Sequence, residues 1–179
     1  MTNTLTPTDA VGYTGKVWQL GDNVDTDLLA PGKYMKFDIE EIARHCLEDL
    51  LPEFASQVRP GDVIVAGKNF GVGSSREQAP EALKQLGIVA VVAPSFAGLF
   101  YRNALNIGLV VVICEQAALI PAQARIRVDA AGGQIHTDAG ESLSCQPIPD
   151  FLMQMLNAGG LLPHLQQRLS TEPTLGRRI

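Results

Sequence analysis

The chain has 179 residues with 46% hydrophobic and 18% charged positions, a balance that fits one compact domain with a real core and excludes extended disorder. Its formal charge of -5, with no offsetting basic stretch, argues against nucleic acid or an anionic membrane as partner. No run approaches the ~18 apolar residues of a membrane span, and the opening M-T-N-T-L-T-P-T-D-A lacks the parts of a secretory signal, so a cytoplasmic protein is expected.

Residues 1–14 read as an N-terminal tail, and Gly15 to Leu20 as the first strand. Gly21 to Phe37 then carries Asp22, Asn23, Asp25 and Asp27. Their spacing lacks the glycine and distal glutamate of an EF-hand, so these side chains are expected to cap turns in a loop that borders a site. Pro31-Gly32 marks a turn, and Lys33 to Phe37 is a mixed segment placed to reach over a ligand. Asp38 is a natural N-cap for a helix whose apolar stripe runs Ile39, Ile42, Ala43, Cys46, Leu47 and Leu50. His45 falls on that helix as a structural, partly buried residue.

Val63 to Ala66 is an apolar, β-branched strand, and Gln78 to Leu86 has helical spacing with Gly87 just beyond its end. Ile88 to Ala93 and Leu109 to Ile113 are continuous apolar strands flanking a helix over Phe96 to Ile107. The order strand, helix, strand, helix, strand predicts a short parallel sheet with helices covering it. From Arg125 the texture changes to short alternating segments, Arg125 to Asp129, Gln134 to Thr137 and Ser142 to Cys145, split by glycine turns as in antiparallel hairpins. Asp150 is expected to cap a helix over Phe151 to Ala158. A shorter amphipathic piece follows at Leu161 to Leu169, and residues 170–179 read as a tail.

Between the second strand and its helix lies K-N-F-G-V-G-S-S-R-E, Lys68 to Glu77. Glycines allow a sharp turn and close approach to a ligand, a helix N-terminus favours an anion, and an arginine adds a two-pronged clamp. An anion seat with two hydroxyls in reach follows from these properties. A P-loop needs a Lys-Ser or Lys-Thr pair after the glycines, and none is present. A dinucleotide turn needs a third glycine where Arg76 stands. A hydrolase elbow needs G-x-S-x-G, and the downstream His136 and His164 read as surface residues. Ser74 acting as a base, with Ser75 and Arg76 on a carboxylate, remains; a lone serine is a weak base, so positive charge must come from elsewhere. The three cysteines, Cys46, Cys114 and Cys145, stand far apart without a C-x-x-C pair and read as ordinary reduced thiols.

N-F-G-V-G-S-S-R-E-Q-A-P-E-A-L at Asn69 to Leu83 and S-F-A-G-L-F-Y-R-N-A-L-N-I-G-L at Ser95 to Leu109 resemble the 3-isopropylmalate dehydratase small-subunit family, itself similar to the swivelling domain of aconitase. G-D-N-V-D-T-D-L-L at Gly21 to Leu29 and F-L-M-Q-M-L-N-A-G-G-L at Phe151 to Leu161 look like it too, so the resemblance covers roughly residues 15–169. It implies an α/β fold, an aconitase-type swivelling β/β/α domain with a short parallel sheet and a C-terminal antiparallel hairpin region. It also implies a hydro-lyase that isomerises 2- and 3-isopropylmalate, for leucine biosynthesis. The activity requires a large subunit, in a heterodimer or heterotetramer, whose three cysteines hold a 4Fe–4S cluster; this chain itself binds no metal. By position, Ser74 is then the base, while Gly73, Ser75 and Arg76 bind a substrate carboxylate of a hydroxy-dicarboxylate. Tyr34, Met35 and Phe37 form the specificity loop, and Lys36 meets an acidic group. Gly98 stands where the family usually has Arg or Lys, and Val110 where it has Pro. Those departures keep open a homoaconitase, citramalate or dimethylmalate dehydratase subunit, and, from another class, a non-catalytic anion-binding assembly module.

Overall fold

A computed structural model describes residues 12–171. Seven strands form one mixed sheet in the order β4-β3-β2-β1-β5-β6-β7. Strand β1 (Gly12–Gln19) begins three residues before the expected Gly15 and is the seam of the sheet. On one side it runs parallel to β2 (Val63–Val65), which continues into β3 (Ala90–Ala93) and β4 (Val110–Ile113). On the other it pairs antiparallel with β5 (Arg125–Asp129), followed by β6 (Gln134–Thr137) and β7 (Ser142–Ser144). Burial separates the halves as the sequence texture predicts. Strands β2 and β3 are buried at every residue, whereas β5 to β7 alternate, the pattern of a sheet covered on one face.

The crossovers are α4 (Gln78–Gln85) and α5 (Gly98–Asn106). Gly87 follows α4 with φ of 88°, its N–H donating to Lys84 and that of Ile88 to Leu83 O, which satisfies the last carbonyls of the helix. The C-terminal α6 (Asp150–Asn157) and α7 (Leu161–Thr171) pack near α5. Asp150 is the first residue of α6 and not its cap; Pro149 takes that place, its fixed φ suiting a helix entry. Along α7, Leu162, Leu165 and Leu169 are exposed. No helix among the described residues is long and apolar enough to cross a membrane.

One predicted helix is much shorter than its apolar stripe. Asp38 does cap α2, its carboxylate accepting from Glu41 N at 2.9 Å, but α2 covers only Ile39–Arg44. Cys46 and Leu47 are buried as the stripe requires, yet Leu47 adopts φ of 61° and donates its N–H across the fold to Leu28 O at 2.7 Å. A tertiary hydrogen bond replaces the helical one, and the chain turns there before the short α3 (Phe54–Gln57).

Candidate functional site

The loop after β1 and the loop after β2 are laced together, and the lacing presents Ser74 to Arg76. Lys68 N donates to Asp22 Oδ1 (2.7 Å), Asn23 N to Lys68 O (2.8 Å) and Asn69 Nδ2 to Asn23 Oδ1 (3.0 Å). Gly71 N then reaches Val24 O (2.7 Å), Thr26 N reaches Val72 O (2.8 Å), and Ser74 N donates to the buried Thr26 hydroxyl at 3.0 Å. Beneath the turn Phe70 is fully buried, edge-on to Phe100 at 5.2 Å. Gly71 (φ 77°) has no room for a side chain, since a Cβ there would lie 2.2 Å from Phe100. Gly73 (φ 112°) faces Thr26 Oγ1, the atom that holds Ser74.

The aspartates therefore do more than cap local turns. Asp25 does cap the short helix α1 (Thr26–Leu29), accepting from Asp27 N and Leu28 N. Asp22 and Asn23, however, bind the opposite loop, and Asp27 pairs with Arg76. Arg76 Nη1 donates to Asp27 Oδ1 and to Ala30 O, the latter at 2.9 Å. Asp27 Oδ1 also accepts from Gly32 N at 3.0 Å, and these bonds hold its carboxyl below the ordinary carboxylate value, Arg76 contributing most. Both donations from the guanidinium come from Nη1, so Nη2 and Nε remain available to a carboxylate. Arg76 lies two residues ahead of the first residue of α4, outside its first turn.

Gly73, Ser74 and Ser75 are all exposed. The structure thus brings Gly73, Ser74, Ser75 and Arg76 onto one open turn. The Gly32–Tyr34 3-10 turn lies beside it: a Cβ on Gly32 would be 3.3 Å from Arg76 Nη2. Tyr34 and Met35 are half-buried, and Lys36 and Phe37 exposed, with the Lys36 ammonium 5.1 Å over the Phe37 ring. The segment borders Arg76 through Gly32, while Lys36 has no hydrogen bond or ion pair to the turn. A hollow of about 310 Å³, lined by Gln19, Asp22, Lys68, Pro94 and Glu115 among others, adjoins the turn at Lys68 but excludes Ser74 to Arg76. Sequence reasoning missed Thr26 and Asp27 as parts of the site. Their signal was the T-D pair in D-N-V-D-T-D: Asp27 was expected to cap a turn in a loop that borders the site, and Thr26 was given no role.

The cysteines do not suit a cluster. Cys46 and Cys114 are fully buried, burial raises both thiols, and Cys145 is pushed up to about 11 by burial, Cys114 and Asp129. Among the described residues no three His, Cys, Asp or Glu side chains group to hold a metal.

The sheet is parallel on one side of β1 and antiparallel on the other, with an open G-S-S-R turn strapped to a D-T-D loop, and the family described as the aconitase C-terminal domain matches residues 31–117. The chain belongs to the family of 3-isopropylmalate dehydratase and homoaconitase small subunits. It is 49% identical to a methanogen homoaconitase small subunit from Methanothermobacter thermautotrophicus, over 88% of this chain and 92% of that one. It is 48% identical to a 3-isopropylmalate dehydratase small subunit from Nautilia profundicola, over 87% and 95%. The crystal structure of 3-isopropylmalate dehydratase from Methanocaldococcus jannaschii superposes with a TM-score of 0.84 at 40% identity, covering 89% of this chain and 96% of that one.

Proposed function

We propose that this chain is the small subunit of a hydro-lyase that isomerises 2- and 3-isopropylmalate by dehydration and rehydration, and that it works against a large subunit. The observation that carries the reading is an exposed Ser74 hydroxyl on a turn fixed from both sides. Catalytic groups on rigid supports but open to solvent suit a site completed by a second protein. Ser74 Oγ would take the proton from the carbon next to a carboxylate. Ser75 Oγ and the Nη2 and Nε of Arg76 would hold that carboxylate, and Asp27 would keep the guanidinium aimed. Among the described residues no cation is hydrogen-bonded to the Ser74 hydroxyl, so the positive charge that a serine base needs is proposed to come from a 4Fe–4S cluster on the large subunit.

Ser74→Ala in the reconstituted complex is expected to lower kcat by roughly 10²–10⁴-fold with KM little changed; unchanged turnover would remove Ser74 from the role of base. The purified chain alone is expected to be colourless and inactive, and cluster absorbance from it would contradict the division of labour.

A second reading has its own support. Lys36 is exposed with no carboxylate partner among the described residues, and the homoaconitase small subunit matches as well as the 3-isopropylmalate subunits do. A substrate with a distal carboxylate, as in homoaconitate, would suit Lys36; methylated malates would suit Met35 and Phe37. A substrate panel on the complex separates them. Lys36→Ala should cost affinity only for the distal carboxylate.

A further inference from the structure

The segment from Lys33 to Phe37 leaves the Arg76 side of the site on a single 3-10 turn, too short to hold its own shape. Its anchor lies behind it. The Tyr34 ring stacks on His45, centroids 3.6 Å apart and planes 13° from parallel. His45 Nδ1 lies 2.6 Å from Glu48 Oε2, and Nε2 lies 3.4 Å from Glu41 Oε1. Glu48 reaches forward again: Tyr34 Oη donates to Oε2 at 3.5 Å, and Lys33 Nζ pairs with Oε1 at 2.7 Å. Oε1 is buried without an aligned hydrogen bond, so that last contact is an ion pair, and Lys33 also sits 4.9 Å over the Tyr34 ring. Lys33 first, then His45, hold the Glu48 carboxyl below its ordinary value.

The two anchoring residues sit on either side of Leu47, whose N–H is fastened to Leu28 O, one residue beyond Asp27. At the head of the segment Gly32 N is fastened to Asp27 itself. The segment is therefore held at its head to the residue that aims Arg76 and along its side to a stack and a charged hub.

We propose that His45 and Glu48 are positioning residues that hold the Lys33–Phe37 segment over the substrate's distal group, and so set which distal group is accepted. The idea rests on the dehydratase reading above. Neither residue is hydrogen-bonded or ion-paired to Ser74 or Arg76; their side chains engage the segment at Tyr34 and Lys33.

The test uses the full chain reconstituted with its large subunit, with kcat and KM measured on 2-isopropylmalate and on homoaconitate. His45→Ala and Glu48→Ala are expected to reduce the ratio of kcat/KM between the two substrates by about tenfold, through KM of the preferred one. The double variant should lose no more than either single one, because the pair acts as a unit. Lys33→Ala, on an exposed side chain, should shift the ratio the same way by less, and serves if the other variants fold poorly. An unchanged ratio in a folded variant, or equal losses on both substrates, overturns the proposal. Amide exchange of residues 34–37 in the free chain gives a readout that needs no turnover. It should quicken about tenfold in Glu48→Ala, and unchanged exchange also overturns the proposal. If the wild-type complex turns over neither substrate, the isopropylmalate and homoaconitate readings both fail, and the exchange result alone decides whether Glu48 holds the segment.

Discussion

Asp27 stands between the two loops with one oxygen facing both Gly32 N and Arg76. Asp27→Asn keeps an acceptor for Gly32 but removes the charge opposite the guanidinium. In the complex, KM is expected to rise about tenfold, roughly 1.4 kcal/mol, with kcat falling less; an unchanged KM would show that Arg76 needs no partner to be aimed. Stability should change by under about 1 kcal/mol, because the carboxylate is largely exposed and solvent screens the pair. The sign with pH follows from the lowered carboxyl. Its contribution is fully present above the unfolded value of 3.8 and is lost as pH falls through the lower folded value. The stability gap between wild type and Asp27→Asn should thus be flat from pH 5 to 8 and close only in stronger acid. The cysteines give a complementary check. With Cys145 at about 11, roughly one thiol in a thousand is ionised at pH 8, so alkylation of the folded chain should be slow until denaturant exposes all three.

The glycine turn shows why the parallel half of the fold and the core of the site were legible in the sequence. Each apolar run from Val63 to Ile113 is long enough and flanked clearly enough to allow one assignment, and Gly71 and Gly73 adopt the positive φ their places imply. Gly71→Ala combines a left-handed Ala, about 1–2 kcal/mol, with a clash against Phe100 that overpacks the core by about 1–3 kcal/mol. A loss of about 2–5 kcal/mol in denaturant titration is expected; a neutral result would mean that Phe100 moves aside freely. The α2 stripe misled because burial was read as helical periodicity. Leu47 is buried, but the hydrogen bond that places it comes from Leu28, nineteen residues earlier, and no local pattern records it. Asp27 was hidden for the same reason, since its partner Arg76 is distant in sequence. Gly98, in contrast, needs no glycine: nothing lies within 4 Å of a Cβ there. Gly98→Ala should stabilise the chain by about 0.4–1 kcal/mol.

Across the whole molecule the parallel β2-β3-β4 ladder and the antiparallel β5-β6-β7 ladder are joined into one sheet only through β1. Along β1, Val17, Trp18 and Gln19 pair with β2, while Gly12 to Lys16 pair with β5. Gly15 sits two residues before the changeover at Val17, opposite Ile126 and against the turn that leads into β2, where a Cβ would lie 1.9 Å from Gly61 O. That neighbour is backbone and cannot rotate away, so even Ala at this position must push β1 from one of its two partners. Trp18 reports on the same seam: it is buried, its Nε1 donates to the buried Asp62 at 2.9 Å, and its ring meets Phe54 edge-on at 5.1 Å. Because one strand closes both ladders, unfolding is expected to be a single cooperative transition, with Trp18 fluorescence and far-ultraviolet ellipticity changing together. Gly15→Ala should lower both midpoints by the same amount. If the ellipticity of the hairpin half survives after the Trp18 signal is lost, the antiparallel region folds on its own, and the seam joins two units rather than making one.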